Sequence, residues 1–319
     1  MVFIIGVYNM RYVVTGGAGF IGSHIAERLL SDGHDVIVID DLSTGRKKNI
    51  KPFLSHSSFR FVEGSITSLE LLLSLFTDVD AVFHQAAIPS VPRSVKDPVT
   101  SHEANINGSL CVLEAAKQCC VRRVLFASSS SVYGDSPVMP KQEDMEYNPL
   151  SPYAVQKMTT EMYCKVYYEL YGLETVAIRY FNVFGERQNP ESTYAAVIPK
   201  FITALLAGES PTIFGDGEQS RDFTYIDNVV HANMLALSKK EAAGTIMNVA
   251  CGGRYTLNDL VVTLNQLCGT NIEAIHAKER AGDIKHSLAD ITRATRILDY
   301  KPIVSFEDGL QKTIDFFNT

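Results

Sequence analysis

Residues 151–157 read SPYAVQK, and residues 125–134 read LFASSSSVYG. A tyrosine and a lysine four positions apart stand on one helix face, about 6 Å apart along the axis. Alone, Tyr153 and Lys157 fit an ordinary solvated helix surface, and four consecutive serines at a strand end fit hydroxyls that satisfy local backbone groups. Together they fit proton transfer to or from an alcohol. Tyrosine has an unperturbed pKa of about 10, so roughly one in a thousand is ionised at neutral pH. A nearby cation favours the phenolate, and lowering the pKa by about three units takes about 4 kcal/mol of differential stabilisation. Lys157 is one such cation. Whether a second is present depends on what the rest of the chain binds.

The elements that would carry these residues belong to a chain of 319 residues, 46 % apolar, with a formal net charge of −7. That length buries a large core in one big domain or two unequal ones. The acidic balance, with both signs interspersed, argues against a nucleic-acid reader. No apolar run reaches the roughly 18 residues of a membrane span. The opening MVFIIGVYN is short and lacks a signal peptide's basic start and cleavage site, so residues 1–9 are expected to be an extension without functional weight. Cys111, Cys119, Cys120, Cys164, Cys251 and Cys268 contain no C-x-x-C pair. They read as reduced core thiols of a cytoplasmic protein, with neither a disulfide frame nor a metal site.

β-Branched runs at 11–16, 34–40, 59–64, 80–86, 122–129 and 174–181 alternate with amphipathic segments at 20–32, 68–76, 99–119 and 153–171. Continuous apolar strands between helices predict an α/β fold, a doubly wound parallel sheet covered on both faces. The rhythm breaks after residue 183, where FGERQNP and FGDGEQSRD punctuate helices near 227–239, 256–267, 289–298 and 306–317. The expected organisation is a Rossmann domain over 10–183 and a smaller α/β substrate domain over 184–319, some of whose segments pack back on the first.

RYVVTGGAGFIGSH places Gly16, Gly17, Gly19 and Gly22 between the first strand and the first helix, fitting both G-x-G-x-x-G and G-x-x-G-x-x-G. Glycine allows a tight turn and close approach of a pyrophosphate, which then sits on the helix N-terminus. Asp40 ends the next strand, where its carboxylate suits an adenosine ribose and repels a 2′-phosphate, so the cofactor is expected to be NAD. Arg46, Lys47 and Lys48 follow closely and read as a solvated loop. A nicotinamide ring in this cleft would be the second cation, making Tyr153 a base near its working pH.

TGGAGFIG, SSSSVYG, SPYAVQK and RYFNVFG together resemble the extended short-chain dehydrogenase/reductase family over nearly the whole chain from residue 10. Within it the sequence is most similar to the nucleotide-sugar 4-epimerases of the UDP-N-acetylglucosamine group. The resemblance implies Ser129, Tyr153 and Lys157 as catalytic residues. It also implies cofactor contacts at Gly16, Gly19, Phe20, Ile21, Asp40 and Ala86. Ala87, Asn105, Ser128 and Tyr180, with Tyr153 and Lys157, complete that set. Around the sugar or UDP it implies Ser90, Val91, Arg93, Ser129, Ser131, Tyr153 and Asn182. Ala196, Val197, Lys200, Arg221, Arg280, Asp283 and Ser287 extend this side. Guanidinium forks at Arg221 and Arg280 suit a diphosphate, though each alone also fits a surface ion pair.

The implied reaction takes hydride from the sugar's C4 to NAD, turns the 4-keto sugar over and returns the hydride to its other face. Ser287 stands where epimerases restricted to UDP-glucose carry a bulky tyrosine, leaving room for a C2 N-acetyl group; the plainer reading is a helix cap. The expected substrates are UDP-GlcNAc/UDP-GalNAc, with UDP-glucose/UDP-galactose as a further pair. Two positions depart from common patterns: Ser65 replaces an aspartate near the adenine, and Pro89 replaces the lysine frequent in the UDP-glucose type. Among rivals, a dehydratase lacks its Asp-Glu pair, since Ser130 and Ser131 stand there, and a decarboxylase lacks its glutamate before VYG. UDP-glucuronate 4-epimerisation stays open, because Arg93 could face a carboxylate. A catalytically silent NAD-sensing scaffold would be expected to lose the tyrosine or lysine. A homodimer through helices near 99–119 and 153–171 is expected from the family.

Overall fold

Valine, isoleucine and phenylalanine alternate between the two faces of the central strands, so each strand needs cover on both sides. In the computed structural model, which describes residues 9–190, 196–279 and 285–318, that cover is present. Six strands come from the first half: β1 (Arg11–Thr15), β2 (Asp35–Asp40), β3 (Phe59–Glu63), β4 (Ala81–His84), β5 (Arg123–Ser129) and β6 (Glu174–Tyr180). A seventh, Thr245–Val249, adds beyond β6, and the sheet order is β3-β2-β1-β4-β5-β6 followed by that strand. Every pairing is parallel, with Val13 opposite Ile37 on one side and Val82 on the other.

Neighbouring residues of β1 serve different cores. Val14 packs with Phe83, Leu125, Ile25 and Val229 on one face; Val13 packs with Val82, Phe126, Leu72 and Val112 on the other. The first face is covered by α1 (Phe20–Ser31) and the helix Ile226–Ser238, the second by the helices Leu69–Phe76, Gly108–Gln118 and Pro152–Tyr171. The strand Thr245–Val249 and the helix Ile226–Ser238 thus return from the later part of the chain to the sheet. The remaining later segments form three two-stranded pairings and the helices Val197–Leu206, Leu257–Cys268 and Phe306–Phe317. An aromatic cluster binds them, with Phe223 stacked on Phe306 at 5.5 Å and Tyr255 on Phe306 at 3.9 Å.

Local signals explain the helix that carries Tyr153 and Lys157. Ser151 caps its start by accepting from Ala154 N, Pro152 occupies the first turn, and Gly172 ends it at φ +69°. The continuous helix expected over 99–119 is instead Pro98–His102, a π-helical turn Glu103–Asn107, and Gly108–Gln118. Such wide turns often accompany functional sites, and this one puts Asn105 into the interior, 2 % exposed. The six cysteines are free, but only Cys164 is fully buried and Cys120 is exposed, which corrects their reading as core thiols. No described helix is long and apolar enough to cross a membrane.

Candidate active site

At the carboxyl edge of the sheet, where the chain order reverses between β1 and β4, lies a cleft of about 1170 Å³. Its floor is the glycine turn. Gly16 has φ +67°, and a Cβ there would stand 2.6 Å from Ala86 Cα. A Cβ on Gly22 would meet Gly16 O at 2.3 Å. These contacts let β1, the β4 end and α1 converge, with the α1 N-terminus facing the cleft. Asp40 is buried at the rim, accepting from Ala18 N at 3.0 Å and Leu42 N at 2.8 Å. Burial raises its carboxyl pKa, and these two backbone donors oppose the rise. Lys47 and Lys48 stand on a short helix, Lys47–Ile50, where a loop was expected; Lys47 is exposed and pairs with Glu63 at 2.8 Å, while Arg46 lines the cleft.

A polar chain runs from this floor to the other end of the cleft. Ala86 N donates to Thr15 Oγ1, which lies 2.8 Å from His84 Nδ1; His84 Nε2 lies 2.8 Å from Ser109 Oγ, and Ser109 donates to Asn105 O. Because the Ser109 proton is committed, Nε2 must donate and Nδ1 accept, which fixes a neutral tautomer. Burial pushes this imidazole down to about 3, with Lys157 adding to the effect. Asn105 then accepts from Ile88 N at 2.7 Å and donates to Gln156 Oε1 at 2.7 Å, joining the cleft wall to the helix of Tyr153 and Lys157.

At that end Lys157 Nζ donates to Ala127 O at 2.7 Å and sits 5.7 Å from the Tyr153 ring centroid. Ser129 Oγ accepts from Ser131 N at 3.1 Å, and the Ser129 hydroxyl hydrogen-bonds to Tyr153. Burial pushes the Tyr153 phenol up to about 12 and the Lys157 ammonium down to about 7. Glu161 and Cys164, on the same helix, oppose the drop at Lys157. The lowered phenol expected from the sequence is therefore not produced by the protein's own groups. Desolvation outweighs the opposing hydrogen bond from Ser129.

Behind this pair lies a buried ionic knot. Arg179 grips Glu161 through Nε at 2.9 Å and Nη2 at 2.7 Å, while Ser128, beside Ser129, donates to the same carboxylate. Tyr147 also donates to Glu161, and Arg179 donates to Tyr133 OH at 2.7 Å. The knot fastens the β5 end and β6 to the helix one turn beyond Lys157.

Most residues singled out from sequence line the main cleft: Gly16, Gly19, Phe20, Ile21, Ala86, Ala87, Ser90 and Arg93 do so. Ser128, Ser129, Tyr153, Lys157, Tyr180, Asn182 and Ala196 line it as well. Asn182 and Ala196 continue into an adjoining cavity of about 250 Å³ that holds Val197, Phe214, Gln219 and Arg221. Ser131 Oγ is buried without a hydrogen-bond partner. Ser287 accepts from Asn182 Nδ2 at 3.4 Å and caps no helix, since the next one begins at Thr292 behind Ile291. Val91, Asn105, Ser131, Lys200 and Ser287 line neither cavity. Arg280 and Asp283 lie outside the described residues.

Residues 12–250 match the NAD dependent epimerase/dehydratase family. The chain belongs to that family. This epimerase/dehydratase chain is 40% identical to the UDP-glucose 4-epimerase of Mycolicibacterium smegmatis over 97% of its length and 98% of the relative's. A solved UDP-N-acetylglucosamine 4-epimerase from Methanobrevibacter ruminantium, in complex with UDP-N-acetylmuramic acid, superimposes with a TM-score of 0.93. The two are 44% identical over 97% of this chain and 98% of that one. A UDP-glucuronic acid 4-epimerase from Bacillus cereus, solved with UDP-glucuronic acid and NAD, superimposes with a TM-score of 0.89. It is 35% identical over 96% of this chain and 98% of that one.

The family's dinucleotide is NAD, and the glycine cradle that any Cβ would fill fits it. Three cleft-lining residues that were not singled out from sequence, Gln85, Arg187 and Gln188, each have a buried polar atom without a partner. Gln85 directly follows β4 at the switch point, which is a legible signal. Arg187 lies in FGERQNP, which sequence reading treats only as punctuation.

Proposed function

We propose that this epimerase/dehydratase interconverts UDP-GlcNAc and UDP-GalNAc by inverting C4, with UDP-glucose and UDP-galactose as a second pair. The observation that carries the N-acetyl preference is the small Ser287 side chain at Asn182, where the main cleft meets the smaller cavity. In this reading the UDP lies towards the smaller cavity with Arg221 among its wall residues, and the sugar lies between Asn182 and Tyr153. Bound NAD supplies the hydride acceptor and donor and, when oxidised, a positive charge in the cleft that favours the Tyr153 phenolate.

The chain's own residues do the rest. Gly16, Gly19, Phe20 and Ile21 receive the pyrophosphate on the α1 N-terminus, and Asp40 takes a ribose hydroxyl. Tyr153 removes the 4-hydroxyl proton directly or through Ser129, and gives it back after the 4-keto sugar has turned. Lys157, fixed on Ala127 O, holds charge beside the phenol. Asn105 and the Glu161–Arg179 knot keep the helix of Tyr153 in register with the cleft wall.

A homodimer completes the proposal. Val99, Val155, Met162 and Val166 are exposed apolar residues on the segments expected to pair, with Val99 78 % exposed. The test of substrate choice is product analysis after parallel incubation with UDP-GlcNAc, UDP-glucose and UDP-glucuronate. Interconversion of UDP-GlcNAc is expected. Turnover of UDP-glucuronate alone would replace this reading with the uronate one.

A further inference from the structure

Arg187 follows the short strand Val183–Phe184 and adopts φ +63°, a left-handed conformation that few residues with a Cβ take. Its guanidinium reaches back to α1, the helix whose N-terminus faces the cleft. Nη2 donates to Glu27 Oε2 at 2.5 Å, and the group lies 5.5 Å from the Phe53 ring centroid. His24, one turn earlier on α1, is pushed down to about 4 by burial and then by the Arg187 charge.

The opposite edge of the guanidinium is the informative one. Arg187 lines the cleft, and its Nη1 is buried with no hydrogen-bond partner. The adjacent carboxylate does not serve it: Glu186 accepts from Tyr225 OH at 2.6 Å through Oε1 and turns Oε2 to His24 at 3.9 Å. A desolvated charged donor left unmade is costly, and a guanidinium edge matches phosphate oxygens in shape and charge. The cleft that Arg187 lines is the one whose glycine turn and helix N-terminus suit a pyrophosphate.

We infer that Arg187 is a dinucleotide-binding residue, its Nη1 edge donating to a phosphate oxygen of NAD while Glu27 and Phe53 hold the guanidinium in place. The inference rests on the cofactor reading above. It adds to the neutral backbone donors of the glycine turn one cation brought from a distant part of the chain.

Equilibrium dialysis of the full chain against labelled NAD, and separately against labelled UDP, tests it with Arg187→Gln and Arg187→Lys. Melting temperatures serve as the control for folding. The glutamine variant is expected to bind NAD about tenfold more weakly or worse, with UDP affinity unchanged. The lysine variant, which keeps the charge and loses the fork, is expected to fall between it and the parent. It carries the comparison if the glutamine variant does not fold. Unchanged NAD affinity overturns the inference, as does a loss of UDP affinity equal to that for NAD, which would assign the edge to the other diphosphate. A parent chain that binds no NAD would instead sink the cofactor reading itself.

Discussion

The Asn182 side-chain amide donates to the Ser287 hydroxyl at 3.4 Å across 105 residues of sequence. Asn182 lines both cavities, and Ser287, which lines neither, stands behind it. A phenol ring at position 287 would press on the Asn182 side chain. Ser287→Tyr is expected to lower kcat/KM for UDP-GlcNAc by about a hundredfold, on the scale a pocket discriminates by size, and to spare UDP-glucose. Equal losses on both sugars, or none on either, would remove Ser287 as the gate.

Tyr153→Phe removes the phenol without changing the ring that packs beside Ser129 and Lys157. Turnover is expected to fall about 10²- to 10⁴-fold, the usual worth of a positioned acid-base group. Binding of NAD and UDP, followed by dialysis, should stay close to the parent's. A variant with more than half the parent's turnover, on the order of one unit of ln kcat or less, would show that the base lies elsewhere.

Lys157 is 4 % exposed and burial holds its pKa at about 7, against 10.5 when unfolded. Between those values the unfolded chain binds more protons, so this group's contribution to stability rises with pH. Lys157→Met lacks that slope. The stability of the parent relative to the variant should therefore climb from pH 7 to pH 10, by up to about 1.4 kcal/mol per pH unit. Parallel stability curves for the two proteins, from denaturant melts of the nucleotide-stripped chains, would contradict a depressed lysine.

Glu161 and Arg179 are both buried, at 0 % and 1 % side-chain exposure. Removing one partner leaves the other as an uncompensated charge, so Glu161→Gln is expected to cost about 3–5 kcal/mol in urea unfolding. A cost under about 1 kcal/mol would mean the knot is solvated or readily rearranged, at the level of an exposed pair.

Val99→Glu combined with Val166→Glu puts charges on the segments proposed to pair between copies. Sedimentation should show a dimer for the parent and a monomer for the double variant. An unchanged mass would move the contact to another surface.

Strands β1 to β6 were legible because β-branched runs bounded by polar turns have few other uses in a chain of this length. The strand Thr245–Val249 was not, because Asn248 interrupts its apolar pattern. Its amide is satisfied by Lys141 O, Asp290 O and Tyr133 OH, partners that only the fold brings together. The helix Val197–Leu206 was hidden by Pro199, which sits in the first turn, where its missing N–H is not needed. The π turn at Glu103–Asn107 leaves no periodic mark, since one extra residue per turn shifts the pattern without breaking it.

The family resemblance picked out Ser129; by itself the sequence determined a glycine turn with an acid at the next strand end, and Tyr153 and Lys157 on one helix face. These are local facts, carried by residue type and by periods of two and 3.6. The tertiary structure decided how those groups are charged and which others join them. Burial raised Tyr153 and lowered Lys157, shifts that the protein's own groups impose before any second cation joins them. Packing of distant segments brought Ser287 to Asn182 and left the Nη1 edge of Arg187 without a partner in the cleft wall. Desolvation and long-range contact depend on what closes over a residue, and spacing along the chain carries neither.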